Sequence, residues 1–322
     1  MQITFLPIYQ SMLKIKFHSL FIAFFFLINS LLSQHTQNDI LVLPHYSESD
    51  QIIRHHAYTL CYNEKHEQAS WVAYELTRSE TQKAVERSNK FIIDPLVKTG
   101  SASDADYKAS GYDRGHLAPA ADMGWSEQSM RESFYYSNMS PQLPAFNRGI
   151  WKQLEELVRD WAIAEDTILV VTGPLLRDGL STIGNNKVSI PEYYYKAILD
   201  LSGKTHKGIG FILPNQAGNK SLQAYAVTID SLEKVSGIDF YYQLNDAIEH
   251  QLEKQVCLTC WEWNDASDTK HAAPERRETK VLQQSPSKQS VGKTVQCSGY
   301  TKSGTRCKRK TSGSSGKCYQ HE

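Results

Sequence analysis

Tyr112-Asp113-Arg114-Gly115-His116 sets an imidazole beside a guanidinium with a single glycine between them. Downstream stand Ser137-Asn138, Pro141-Gln142, Asn147, Glu155 and Arg159. Together they offer an imidazole, side-chain amides, a carboxylate and guanidinium groups. Cleavage of a phosphodiester with one divalent cation needs that set: an activated water, neutralised charge on the phosphate and help for the departing oxygen. His116 is the candidate general base, because a neutral imidazole takes a proton at physiological pH without first losing one. Arg114, Arg159 and Arg87 are candidates to hold phosphate oxygens, since a guanidinium presents paired donors. Asn147 could offer a cation its amide oxygen. Glu155, eight residues on, would lie two turns along a helix and about 80° round it, within reach of water on that cation. Each has a plainer reading alone: a hydrogen-bonded strand-end histidine, a helix cap at Asn147, a surface carboxylate at Glu155.

The order of the motifs carries more than any one of them. Asp113-Arg114-Gly115-His116 is followed by Ser137-Asn138-Met139-Ser140-Pro141-Gln142, then by Asn147-Arg148-Gly149-Ile150-Trp151-Lys152-Gln153-Leu154-Glu155. This series resembles the DNA/RNA non-specific endonuclease family, the ββα-metal or His-Me finger nucleases that include endonuclease G. The likeness is sharpest from Trp71 to Arg159 and extends over about residues 55 to 263. It implies an α+β fold with a central antiparallel sheet flanked by helices. The implied activity is Mg2+- or Mn2+-dependent hydrolysis of DNA and RNA, leaving 5′-phosphates and 3′-hydroxyls. By the same resemblance Asn147 is the side chain on Mg2+, and Asn138 supports the site beside the catalytic His116. Arg87 is carried over from an Arg-x-x-x-Phe run before Asp94-Pro95. Asp113 is expected to orient Arg114 or the backbone.

The elements that must position these residues are partly visible. Residues 69–76 read as a strand, and 111–117 as a strand running into a turn that ends at His116. Ser126 is a candidate N-cap for a short helix through Phe134. Pro141 and Pro144 enforce an extended loop. Asn147 is expected to cap a helix reaching Ala164, with Trp151, Leu154, Leu157, Val158 and Trp161 on its apolar face. Strands are expected at 167–172, 193–199, 208–213 and 223–227, and a helix at 228–235. Residues 41–67 read as a polar, irregular lead-in. Tyr193-Tyr194-Tyr195 could stack on bases, but a buried strand is the better reading.

Composition bounds the rest. The 322 residues are 40% hydrophobic, and 35 basic residues balance 35 acidic ones. Zero net charge gives a nucleic-acid binder no global support, although one cleft can still concentrate positive charge. Lys14, Lys16 and His18 precede an apolar run from Leu20 to Leu32, so residues 1–33 read as a signal peptide for secretion or the periplasm. No later run is long and apolar enough for stable membrane association. The expected domains are the nuclease at 34–264, a flexible linker at 265–293 and a small basic module at 294–322. In that module Cys297, Cys307, Cys318 and His321 suit a structural Zn2+ site, with disulfides the alternative in an exported protein. Seven Lys or Arg and no acidic residue lie between positions 293 and 317. Of the remaining cysteines, Cys61 is expected to pair with Cys257 or Cys260. Two competing functions remain open at this stage. One is a non-catalytic nucleic-acid binder acting through the basic module, the other a phosphodiesterase for small or lipid substrates.

Overall fold

Why the nuclease-like segment forms one sheet buried on both faces follows from its strand alternation. The computed structural model describes residues 43–203 and 206–263, with 295, 296, 298, 310, 311 and 317. In chain order the elements are β1 (Gln51–Arg54), β2 (Thr59–Asn63), β3 (Gln68–Thr77), α1 (Asp104–Tyr107), β4 (Asp113–His116) and α2 (Glu127–Glu132). Next come β5 (Met139–Gln142), α3 (Lys152–Glu165), β6 (Thr167–Pro174), β7 (Thr182–Ile183), β8 (Val188–Ser189), β9 (Tyr193–Asp200) and β10 (Lys207–Pro214). After β11 (Ala226–Val227) come α4 (Ile229–Ser236) and α5 (Asp246–Glu253).

Seven strands form an antiparallel sheet in the order β1-β2-β3-β6-β9-β10-β11. Successive side chains on a strand point to opposite faces. On one face Val72, Tyr74, Ile168, Val170, Tyr194, Ile198, Ile209 and Phe211 pack under Trp151, Leu154, Leu157, Val158 and Trp161. On the other, Trp71, Ala73, Leu169, Val171, Tyr195, Ala197 and Leu199 pack against Ile229, Leu232 and Leu252 of α4 and α5. The architecture is therefore helix, sheet, helix. β4 and β5 stand apart as a two-stranded antiparallel pair, with Gly115 opposite Ser140 and His116 opposite Met139. Followed by α3, that pair makes the ββα unit. Here Gly115 is obligatory, because a Cβ at this position would collide with the Gln142 side chain.

Several expectations need correction. The lead-in contains β1 and β2, short strands whose charged and polar neighbours mask the buried Ile53, Leu60, Cys61 and Tyr62. Residues 222–225 form a 3-10 turn, and only Ala226–Val227 pair as a strand. Tyr194 and Tyr195 are fully buried, whereas Tyr193 is exposed. The cysteine pairing also differs: Cys257 and Cys260 are disulfide-bonded to each other, and Cys61 is a buried free thiol. Cys61 sits in the apolar layer with Trp71 and Leu43, where burial pushes its thiol up to about 12.

The chain divides into two units, residues 1–266 and 267–322. Among the described residues of the second, Val295–Gln296 (β12) pairs antiparallel with Lys310–Thr311 (β13). The signal peptide, the linker and the zinc-ligand candidates Cys297, Cys307, Cys318 and His321 all lie outside the described residues. Among the described residues no helix is long and apolar enough to cross a membrane.

Candidate active site

His116 ends β4 on the floor of a cleft of about 300 Å3. Its ring meets Phe134 edge-on, with centroids 4.8 Å apart, and Phe91 at 5.9 Å. The residue is 8% exposed, and its Nε2 has no hydrogen-bond partner among the described residues. Burial, then the nearby Arg87 and Arg114 charges, lower the imidazole to about 3. It is therefore a neutral ring whose buried Nε2 no described residue satisfies, held next to two guanidinium groups. The linkage has a definite sign. The unfolded chain takes up this proton near pH 6.5 and the folded one near 3, so the stability contribution of His116 is intact above pH 6.5 and declines as pH falls towards 3. An NMR titration of the metal-free protein should show a neutral His116 ring at pH 5. A midpoint near 6.5 would contradict the buried, cation-flanked setting.

Asn147 does not cap a helix. It lies within a π-wound turn, Phe146–Trp151, in which Gly149 departs from helical geometry at φ −109° and ψ −115°. The simple helical-wheel relation between Asn147 and Glu155 thus fails, yet both line the cleft. The Asn147 amide is oriented by Asp113: its Nδ2 donates to Asp113 Oδ2 at 2.9 Å. A carboxylate only accepts, so this contact commits the NH2 group and leaves Oδ1 as the acceptor. Asp113 also takes two hydrogen bonds from Arg148, Nε to Oδ2 at 2.8 Å and Nη2 to Oδ1 at 2.6 Å. Burial would raise its carboxyl, but these donors from Arg148 and Asn147 hold it below the usual carboxylate range. The expected partner was Arg114 or the backbone. Arg114 instead pairs with Asp104.

Five basic side chains, Arg87, Arg114, Arg148, Lys152 and Arg159, line the cleft with Glu155 as its one carboxylate. The concentration of positive charge that zero net charge left open is realised here. Arg87 lies over the Phe134 ring at 5.1 Å and Arg114 over Phe91 at 4.1 Å. Two aromatic faces thus position two guanidinium groups, of which Arg114 is also tied to Asp104. Arg159 is anchored from behind, its Nη1 donating to Asp122 Oδ1 at 2.7 Å. Tyr74 in turn donates its hydroxyl to Asp122 Oδ2 at 2.8 Å.

Behind the cleft lies a charge that the motifs do not announce. Lys196 is fully buried, its Nζ has no hydrogen-bond partner, and the ammonium sits 4.8 Å over the Trp151 ring. Burial lowers it while Glu155 and Asp122 act to raise it. The converse holds at Glu155, where burial raises the carboxyl, Lys196 opposes and Asp122 adds repulsion, leaving it above its usual range. A signal for Lys196 was present. The alternation of β9 puts it between Tyr194 and Ile198 on the apolar face, where a lysine has no business without a charged neighbour.

Asn138 does not line the cleft. It is fully buried and locks the backbone just after His116: Ala118 N–H donates to its Oδ1 at 2.9 Å, and its Nδ2 donates to the Ala118 and Ser133 carbonyls at 2.9 and 2.8 Å. It braces the chain two residues beyond His116 and does not enter the cleft. The structure brings His116, Arg114, Asn147, Glu155, Arg87 and Arg159 into one cleft.

A model of the DNA/RNA non-specific endonuclease family matches residues 41–247. Mitochondrial endonuclease G of Bos taurus is 35% identical over 199 residues, covering 57% of this chain and 67% of that protein. Nuclease C1 of Cunninghamella echinulata var. echinulata is 38% identical over 206 residues, covering 59% of this chain and 82% of that one. Among solved structures, a chain of the EndoG/EndoGI complex aligns with a TM-score of 0.60 at 30% identity. The alignment covers 66% of this chain and 92% of that one.

Proposed function

The chain belongs to the DNA/RNA non-specific endonuclease family and is a nuclease, and from that premise we propose that it is a Mg2+-dependent endonuclease cutting DNA and RNA through His116 and Asn147. One observation carries the proposal: the free Nε2 of a neutral His116 and the oriented amide of Asn147 share one cation-lined cleft. The donor chemistry fits a hard cation, because Asp113 claims the Asn147 NH2 and leaves an amide oxygen, with the Glu155 carboxylate nearby in the same cleft. Once bound there, Mg2+ supplies positive charge to the phosphate and to the departing 3′ oxygen.

The chain's own residues do the remaining work. Arg87 and Arg114 hold the phosphate against the two phenyl rings that aim them. His116 accepts the proton of the attacking water at Nε2. A phosphate anion between the arginines offsets their repulsion of the imidazolium, so the ring becomes more basic as substrate binds. Arg159, fixed by Asp122, and Lys152 extend the positive track along α3. These side chains are suited to backbone phosphates, and such contacts carry no base sequence and no sugar preference. Purified protein should therefore degrade both supercoiled plasmid and single-stranded RNA in Mg2+, and excess EDTA should abolish both activities. Cleavage that survives EDTA treatment, or binding of plasmid without cleavage in Mg2+, would overturn the proposal.

A further inference from the structure

On the sheet face opposite the cleft, α4 and α5 bring together carboxylates that no described residue neutralises. Asp230 lies in the first turn of α4 and Glu233 one turn later, while Glu253 is the last residue of α5. One carboxylate oxygen from each lies within 4.8 Å of the others. Glu233 accepts a single backbone hydrogen bond, from Phe240 N–H at 2.8 Å. Among the described residues no lysine or arginine forms an ion pair with any of the three.

Glu253 is the residue that demands an explanation. It is only 9% exposed, its Oε1 is buried with no hydrogen-bond partner among the described residues, and one of its carboxylate oxygens lies within 4.8 Å of those of Asp230 and Glu233. It also closes a helix at the end where the backbone dipole repels negative charge. Burial, then Glu233, Glu249, Asp230 and Asp239, all push its carboxyl up. A buried, unsatisfied carboxylate in a negative field either takes up a proton or gains from a cation that compensates it.

We propose that Asp230, Glu233 and Glu253 form a binding site for one divalent cation of calcium size, which ties the end of α5 to α4. The ligand set supports the choice of ion. All three ligands are hard carboxylate oxygens, and three of them gathered from two helices suit Ca2+, which takes about six to eight oxygens in a flexible geometry, whereas Mg2+ demands a near-ideal octahedron and keeps several waters beside one or two carboxylates. The site is separate from the nuclease cleft, because Ile229, Leu232 and Leu252 pack on the layer of Trp71 and Leu199 and α3 packs on the other.

The test uses full-length protein carrying Asn147→Ala, so that the cleft ligand does not contribute, titrated with CaCl2 by calorimetry at pH 8 and followed by thermal melting. One calcium ion should bind with a dissociation constant in the range of about 10−4–10−3 M typical of extracellular sites. Near saturation the Tm should rise by about 5 °C. Added Glu253→Gln should reduce calcium affinity at least tenfold. Asp230→Asn on the half-buried first turn should do the same, and it keeps the question open to measurement if the Glu253 variant does not fold. No calcium binding in the Asn147→Ala protein, unchanged affinity in both added variants, or equal affinity for MgCl2 would each overturn the proposal. Neither success nor failure depends on whether His116 is the nuclease base.

Discussion

Replacing His116 with Ala is expected to slow plasmid and RNA cleavage by about 100- to 10,000-fold, the usual contribution of a positioned general base. The reason lies in how little else the ring does. Its Nε2 makes no hydrogen bond within the protein, and its neighbours on the apolar side, Phe134 and Phe91, are also the platforms of Arg87 and Arg114. Removing the imidazole therefore removes a proton acceptor while leaving the phosphate-holding groups and the Asn147–Asp113 contact in place. Two measurements separate a base from a structural histidine. Mg2+ affinity should be nearly unchanged, and added imidazole should restore part of the lost rate by entering the space the ring vacated. An undiminished rate in the variant would end His116's assignment as the base. Loss of Mg2+ binding together with rate would assign it a structural role instead.

How much of this was readable from residues alone depends on whether the signal was local. The box around His116 could be read because its four residues are contiguous, although the close approach that favours Gly115 comes from Gln142, which the β4–β5 pairing brings beside it. The sheet was largely legible too, since β3, β6, β9 and β10 bury both faces and stand out as apolar runs. β1 and β2 were not, because they are only four and five residues long and lie among charged and polar neighbours. The π-wound turn at Phe146–Trp151 was hidden for a different reason. The apolar spacing of Trp151, Leu154 and Leu157 fits a regular helix, and nothing in that period reveals that Gly149 breaks it. Most opaque were the long-range partners. Asp122 and Lys196 reach the cleft from a loop and a central strand, 37 residues before Arg159 and well after Glu155, and only the folded sheet makes them neighbours. The disulfide followed the same logic in reverse. A pairing across the fold was expected for Cys61, but β2 buries that thiol among aromatic side chains while Cys257 and Cys260 close a local turn.

The second large effect is expected at Asn147 and at the residue that aims it. Asn147→Ala should lower Mg2+ affinity by more than about 100-fold, because it removes the oxygen that Asp113 holds ready, and cleavage at limiting Mg2+ should fall in parallel. Asp113→Asn should weaken Mg2+ affinity by about 10- to 100-fold although Asp113 offers the cation nothing itself. The carboxylate fixes the amide because it can only accept. An amide at 113 can present either end to Asn147, so the orientation is no longer unique, and the paired bonds from Arg148 are lost as well. If Asp113 acts through Asn147, the double variant should bind Mg2+ no worse than Asn147→Ala alone, a coupling that a double-mutant cycle reads directly by calorimetry. Simple addition of the two losses would mean instead that Asp113 contributes by a separate route, and the oriented amide would no longer account for the metal site.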